Sequence, residues 1–403
     1  MLNDKFVALG VTGSIAAYKS VELVRLLKKA GARVQVIMTK SACEFVKPLT
    51  FQVVSQNSVI TDMFREPSFW EVEHVALADK ADIFLVAPAT ANIIAKMAAG
   101  IADDMLTSTI LATKAKIIVI PAMNVNMYEN PITQRNIKSL RTNGITVFEP
   151  EEGELACGYT GKGRFPEPRD ILEQLNIVLG KDGDFKNKKL LITAGPTREP
   201  IDPVRFITNH SSGKMGYALA EKAIHRGADV ILISGPTNLD PPLGLYKYIS
   251  IETAEEMFRA VMEYYLEADV IIKSAAVADF SPKHRESEKI KKQGFNMNIK
   301  LNKNPDILQE LGNRKKQQIL IGFAAETSNA TTNAQDKMKR KNLDFIVLND
   351  LTQEGAGFAG DTNIVRILHK DGRIEELPKM LKKELADEIL NRVYLYLQQN
   401  RTF

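Results

Sequence analysis

Residues 6–38 read FVALGVTGSIAAYKSVELVRLLKKAGARVQVIM, and the order of residue types in them decides the fold. Residues 6–9 are a short apolar run that ends in a turn of small residues. Val21, Val24 and Leu27 then recur at three-residue steps over residues 17–30, and Gly31 closes that segment before residues 34–38 turn apolar again. Strands apolar on both faces, joined through an amphipathic helix, predict a parallel sheet buried under helices. Residues 83–87 and 117–120 repeat the pattern, so the first part of the chain reads as a doubly wound α/β sheet.

The pattern then restarts. Residues 180–189, GKDGDFKNKK, are polar and glycine-bearing and predict a domain edge. Beyond them, strands are expected at 190–193, 230–234, 270–273, 319–323 and 345–348, with helices at 217–226, 254–266 and 332–341. Asp371-Gly372 is a hairpin turn between 363–368 and 373–377. A last helix is expected over 378–399, with Leu381, Leu385, Ile389 and Val393 on one face. The expected architecture is α/β: two Rossmann-like parallel-sheet domains in tandem, residues 1–185 and 186–403.

Composition narrows the function. The chain has 403 residues, 53 Lys and Arg against 49 Asp and Glu, and a net charge of +4. That balance is too weak to argue for nucleic acid or an anionic membrane as partner. Cys43 and Cys157 are its two cysteines, too few for a disulfide framework or a four-cysteine zinc site. No apolar run reaches membrane-spanning length and MLNDKFVALGVTG lacks a signal-peptide layout, so a cytoplasmic enzyme is expected.

In the first half, Gly10-Val-Thr-Gly13-Ser14-Ile15-Ala16 opens a helix directly after a strand, where backbone N–H groups and a hydroxyl can receive a phosphate. It is either that or an ordinary tight turn. The spacing is not G-x-G-x-x-G, and Thr39-Lys40 stands where an NAD site wants a carboxylate, so a monophosphate such as that of FMN suits it better. Pro88-Ala89-Thr90 ends another strand. His74 is a surface imidazole or a catalytic one. Asn124, in PAMNVNMY, is a turn residue or a grip for a carboxylate or amide. Cys157 sits in the glycine-rich ELACGYTGKGR, where an exposed, reactive thiol is expected.

In the second half, residues 193–216, TAGPTREPIDPVRFITNHSSGKMG, offer Ser and Gly donors before a helix. They lack a Walker sequence, because Met215 follows Gly213-Lys214. Asp279, after Ser274-Ala275, holds Mg²⁺ beside phosphates or caps the next helix, and the residue types do not separate the two. The basic run Lys289-Ile-Lys-Lys is a solvated face or a phosphate clamp. Lys337 and Lys341 stand four apart on one helix face. Phe323 stacks on a base or fills core.

Seven segments in order, PAMNVNMY, ELACGYTGKGR, residues 193–216, AAVADF, KIKK, KNPDI and GFAAET, make the chain resemble a known family. It is that of the bifunctional phosphopantothenoylcysteine decarboxylases / phosphopantothenate–cysteine ligases of bacterial coenzyme A synthesis. The resemblance covers essentially the whole chain; Tyr128 departs from it, since the family's asparagine motif commonly ends in Trp.

The resemblance implies a flavoprotein-like first domain, with Gly13, Ser14, Ile15, Thr39, Ala89 and Thr90 at FMN. His74 would act in oxidation of the thiol, Asn124 would grip the departing carboxylate, and Cys157 would donate a proton in the closing reduction. It implies a ligase second domain that uses CTP and Mg²⁺ to join cysteine to 4′-phosphopantothenate through an acyl-cytidylate. There Asn209 would meet the acyl-cytidylate, Lys289 the phosphates and Asp279 the metal. Ser274, Ala275, Asn304, Pro305, Asp306, Ile307, Phe323, Lys337 and Lys341 match nucleotide-binding positions. Ligase dimers and decarboxylase trimers would make a homo-oligomer. Three other readings compete: a dehydrogenase with two dinucleotide sites, which lacks the fingerprint and its acidic residue; a flavin-binding regulatory protein, against which His74, Asn124 and Cys157 all speak; and a Cys/His thiol hydrolase, for which no oxyanion-hole motif accompanies Cys157.

Overall fold

A computed structural model describes residues 2–64, 73–154, 158, 160–291, 298–326, 330–350 and 360–399. The chain divides into two compact units, Met1–Asn176 and Ile177–Phe403.

The first unit is built on a five-stranded parallel sheet: β1 (Phe6–Val11), β2 (Arg33–Met38), β3 (Ile83–Ala89), β4 (Lys116–Pro121) and the two-residue β5 (Thr146–Val147). Their spatial order is β2-β1-β3-β4-β5. Val7 lies opposite Val34 on one side and Ile83 on the other, and residues 83–87 are fully enclosed. That is why these strands read as unbroken apolar runs. The helix Ala17–Lys29 buries Leu23, Val24 and Leu27 against them. Outside the sheet stands an antiparallel hairpin, β6 (Glu151–Glu154) with β7 (Thr160–Arg164).

The second unit holds β8 (Lys189–Ala194), the ribbon β9 (Arg198–Pro200) with β10 (Phe206–Thr208), β11 (Asp229–Ser234), β12 (Lys247–Ser250) and β13 (Val270–Lys273). It continues with the ribbon β14 (Phe280–Pro282) and β15 (Leu301–Lys303), then β16 (Ile319–Glu326), β17 (Phe345–Asp350), β18 (Thr362–His369) and β19 (Ile374–Leu381). The main sheet runs β12-β11-β8-β13-β16-β17-β18-β19, parallel except at β18 and β19. Alternate strand residues feed two cores. Ile192, Leu232 and Ile272 pack with Leu219, Leu385 and Ile389, while Leu191, Ile271 and Leu320 pack with Met257, Leu311 and Met338.

The last helix is shorter than the sequence predicts. It is Lys382–Gln399, and Pro378 and Leu381 belong to β19. Pro378 is tolerated because β19 is an edge strand, and the pairing with β18 shifts register between Asn363 and Val365 beside it. Among the described residues no helix is long and apolar enough to cross a membrane.

Candidate functional site

Each sheet reverses its strand order once, between β1 and β3 in the first unit and between β8 and β13 in the second. Open parallel sheets receive ligands at the carboxyl ends of the strands flanking such a reversal. Each unit has a cavity there.

In the first unit, Thr12 knits the two flanking strand ends together. Its hydroxyl donates to the Pro88 carbonyl at 2.7 Å and accepts the Thr90 N–H at 3.2 Å. The next residue, Gly13, leaves no room for a side chain: a Cβ there would lie 2.4 Å from Cβ of Ser41. A cavity of about 860 Å³ opens beside this turn, and Gly13, Ser14, Ile15, Thr90 and Asn124 all line it.

Asn124 caps the short helix Val125–Glu129, its Oδ1 accepting the Asn126 N–H at 2.9 Å. The β6–β7 hairpin holds this segment, because Met123 donates its N–H to the Gly163 carbonyl at 3.0 Å. Gly163 has φ +145°, and a Cβ there would meet the Met123 carbonyl oxygen at 2.3 Å. Tyr128 is buried, with its hydroxyl donating to Glu149 at 2.9 Å; burial first, and then the Glu149 carboxylate, push the phenol up to about 12.

Not every expected residue reaches this cavity. Thr39 caps the helix Lys40–Phe45 instead, accepting the Ala42 N–H at 3.2 Å. Ala89 is fully enclosed and presents only its carbonyl, to Ala122 N–H. His74 is half-buried in the helix Glu73–Lys80 and does not line the cavity. Cys157 lies outside the described residues. Burial, then the neighbouring Glu44 carboxylate, push the Cys43 thiol up, so the other cysteine is kept in its unreactive form.

In the second unit the loops after β8 and β13 are bound to each other residue by residue. Thr193 Oγ1 accepts the Ala275 N–H at 3.2 Å, Ala276 donates its N–H to the Gly195 carbonyl at 2.9 Å, and Thr197 Oγ1 accepts the Ala278 N–H at 3.0 Å. Asn209 is oriented by its own amide, which donates to the Val277 carbonyl at 3.0 Å, and Asn304 likewise donates to the Ala278 carbonyl at 2.9 Å. Asp279 is followed by a strand, so it caps no helix.

A cavity of about 460 Å³ is lined by residues 209–216, Ser274, Ala275 and Asp279. A smaller one of about 150 Å³ is lined by residues 303–308, Lys273 and Lys341. Ala275, Asp279, Phe323 and Lys337 line both. Lys337 donates to the Phe323 carbonyl at 2.9 Å, and Lys341 pairs with Asp306 at 2.8 Å. Lys289 is exposed and lines neither cavity.

Three residues of this unit carry no assignment from the sequence, and two of them, Asn349 and Lys273, line the cavities. Asp202 is buried and accepts N–H groups from Val204, Arg205 and Ile290. Asn349, at the carboxyl end of β17, is buried on the wall of the larger cavity, and its Oδ1 has no hydrogen-bond partner among the described residues. Lys273 ends an otherwise apolar strand. A polar residue closing such a strand is a signal the position itself carries, and both Asn349 and Lys273 display it.

Residues 1–179 match the family model described as Flavoprotein, and residues 185–396 match that of the DNA/pantothenate metabolism flavoprotein C-terminal domain. The chain is 52% identical over 395 residues to the coenzyme A biosynthesis bifunctional protein CoaBC of Bacillus subtilis (strain 168), covering 98% of this chain and 97% of that protein. It is 42% identical over 408 residues to the protein of the same name from Escherichia coli (strain K12), covering 99% of each. Among solved structures, the crystal structure of the C-terminal domain of a coenzyme A biosynthesis bifunctional protein CoaBC is 47% identical, covers 54% of this chain and 100% of its own, and has a TM-score of 0.47.

Proposed function

The chain belongs to the family of bifunctional coenzyme A biosynthesis proteins, and from that premise we propose how its two halves divide the work. It is a two-activity enzyme, a flavoprotein decarboxylase joined to a phosphopantothenate–cysteine ligase. The observation that carries the division of labour is that each sheet has its own cavity at its own reversal of strand order.

Residues 1–185 form the decarboxylase half and use FMN. The turn at Gly13 fits such a group: it is stripped of side chain, carries the Ser14 hydroxyl, and stands at the amino end of a thirteen-residue helix. The flavin, when bound, exchanges the electrons that make loss of CO₂ from a cysteinyl carboxylate feasible. Asn124 holds that carboxylate as it departs, and Cys157 gives the proton that completes the reduced product. His74 is not among the residues that line the cavity of its own chain, and on this reading it serves the cavity of a neighbouring chain in a decarboxylase trimer.

Residues 186–403 form the ligase half. A carboxylate resists an amine until it is activated, so 4′-phosphopantothenate first attacks CTP, losing pyrophosphate to form an acyl-cytidylate. The amine of cysteine then displaces CMP. Asn209, pinned by Val277, holds the acyl-cytidylate; Ser274, Ala275, residues 304–307, Phe323, Lys337 and Lys341 hold the nucleotide; and Lys289 closes on its phosphates. Asp279 offers one carboxylate beside a phosphate site, a donor set that suits Mg²⁺, which keeps most of its waters. The ligase halves pair as dimers, and the enzyme works in the cytoplasm.

The test is mass spectrometry of the products formed from 4′-phosphopantothenate, cysteine and Mg·CTP. The expected outcome is 4′-phosphopantetheine with CMP. Phosphopantothenoylcysteine alone would remove the decarboxylase, and unchanged substrates with folded protein would overturn both assignments.

A further inference from the structure

Lys273 is an anomaly of its own strand. Residues alternate across a sheet, so Lys273 shares a face with Ile271, which packs in the core with Ile307, Leu308 and Met338. An apolar residue would suit that position. Instead a lysine stands there, 8% exposed and facing the small cavity together with Ile307 and Leu308.

The ammonium group has no hydrogen-bond or ion-pair partner among the described residues. The two carboxylates on the same cavity wall, Asp306 and Asp279, accept no hydrogen bond from it. Asp306 is taken by Lys341 at 2.8 Å and by the Gln309 N–H at 3.0 Å. Asp279 lines the cavity without bonding to Lys273. The remaining charges on the wall are cationic: Lys303, Lys337 and Lys341. Burial first, then the charges of Lys337 and Lys341, push the Lys273 ammonium down to about 7, against the pull of Asp306 and Asp279.

A buried cation without a partner is costly, and a protein keeps one where a ligand supplies the missing charge. Four lysines against two aspartates around a cavity of about 150 Å³ specify an anion. We propose that Lys273 is a substrate-binding residue of the ligase site, whose ammonium meets a phosphate oxygen entering the small cavity. The proposal rests on the ligase reading, which supplies two phosphate-bearing substrates, the nucleotide and 4′-phosphopantothenate. Phosphate arrival raises the ammonium back toward its ordinary range, so above neutral pH binding takes up a proton.

The experiment is calorimetric titration of the flavin-loaded full chain with Mg·CTP and, separately, with 4′-phosphopantothenate at about pH 8, in two buffers of different ionisation enthalpy. The wild type is expected to take up a fraction of a proton with one of the two ligands, which identifies the source of the phosphate. Lys273→Met is expected to take up none and to bind that ligand about tenfold more weakly. Its melting temperature without ligand should equal or exceed the wild type's, because the variant replaces a buried amine that lacks a hydrogen-bond partner among the described residues with an apolar side chain of similar length; this separates lost binding from lost folding. Equal affinity and equal proton uptake in the variant would overturn the role of Lys273 while leaving the ligase reading intact. Failure of the wild type to bind either substrate would overturn the ligase reading and the proposal with it.

Discussion

The carboxylate of Asp202 accepts the backbone N–H of Ile290 at 3.2 Å, across 88 positions of sequence. The same carboxylate receives the N–H groups of Val204 at 2.7 Å and Arg205 at 2.8 Å and the Arg205 guanidinium at 2.9 Å. Arg205 in turn donates to the Ile290 carbonyl at 3.3 Å, so the segment bearing Lys289 is fastened on both its amide edges.

Asp202→Asn is therefore expected to loosen the Lys289 segment. An amide keeps one acceptor oxygen but loses the charge and the second oxygen that share these four donors. The KM for Mg·CTP should rise about tenfold, as for loss of one charge-assisted hydrogen bond, while decarboxylation of supplied phosphopantothenoylcysteine stays at the wild-type rate. Steady-state assays of the two half-reactions check this, with Lys289→Gln as the reference for a clamp that is in place but uncharged. The wild-type tie should not respond to pH in the neutral range. Burial pulls the Asp202 carboxyl upward, but its N–H donors and Arg205 outweigh burial and hold it below the usual aspartate value. Its contribution is then complete above that usual value and is lost only as pH falls through the lowered one.

Gly163→Ala tests the hold of the hairpin on the Asn124 segment. The added methyl would meet a backbone oxygen, that of Met123, at 2.3 Å, and backbone cannot rotate aside as a side chain can. The expected outcome is at least a tenfold fall in decarboxylation together with loss of bound flavin, read from the visible spectrum, and no change in ligation. Wild-type flavin content and decarboxylation would show that Asn124 does not depend on the hairpin.

How far this architecture could be read beforehand follows from where the interactions lie along the chain. β1, β3, β8 and β13 are legible because enclosure on both faces leaves an unbroken apolar string. The β6–β7 hairpin is not, because Glu-Glu-Gly-Glu and Thr-Gly-Lys-Gly-Arg show no apolar alternation, and Gly163 is the one buried residue of those two strands. Pro378 is ambiguous in the sequence, since a proline opens helices and also sits in edge strands. The residues lining the ligand cavities were found where they follow a strand within a distinctive motif, as at Ser14, Asn124 and Asn209. Thr12 and Asp202 escaped because their partners, Pro88 and Ile290, are brought to them only by the fold.

Cys157→Ser tests the proton donation proposed for Cys157 apart from the other work of the first half. Serine is close in size but a far weaker acid, so carboxylate gripping and flavin binding should persist while the closing proton transfer fails. In the complete reaction mixture, phosphopantothenoylcysteine is expected to form at the wild-type rate, and 4′-phosphopantetheine to fall by two orders of magnitude or more. Mass spectrometry distinguishes the products. A parallel fall in ligation would remove Cys157 from the role of proton donor.

Lys341→Met removes one cation of the small cavity and leaves Asp306 without its partner. Burial raises the Asp306 carboxyl, yet the hydrogen bond from Lys341 and the N–H of Gln309 outweigh it, and the group sits below its ordinary value. That depressed carboxylate also caps the helix Ile307–Arg314, whose first residues wall the cavity. Its contribution is present above the ordinary aspartate value and is lost as pH falls through the lowered one. In the variant the Asp306 carboxyl rises, so the acid limb of the ligation profile should move to higher pH, while decarboxylation keeps its own profile. The KM for Mg·CTP should increase about tenfold at neutral pH, where Asp306 remains ionised but unpaired. Adding Asp306→Asn to Lys341→Met restores the acid limb, since an asparagine caps the helix without titrating. It leaves the KM high if Lys341 meets the nucleotide as proposed, since that cation is still gone. Recovery of KM in the double variant would mean that Lys341 acts only by holding Asp306, and never touches the nucleotide.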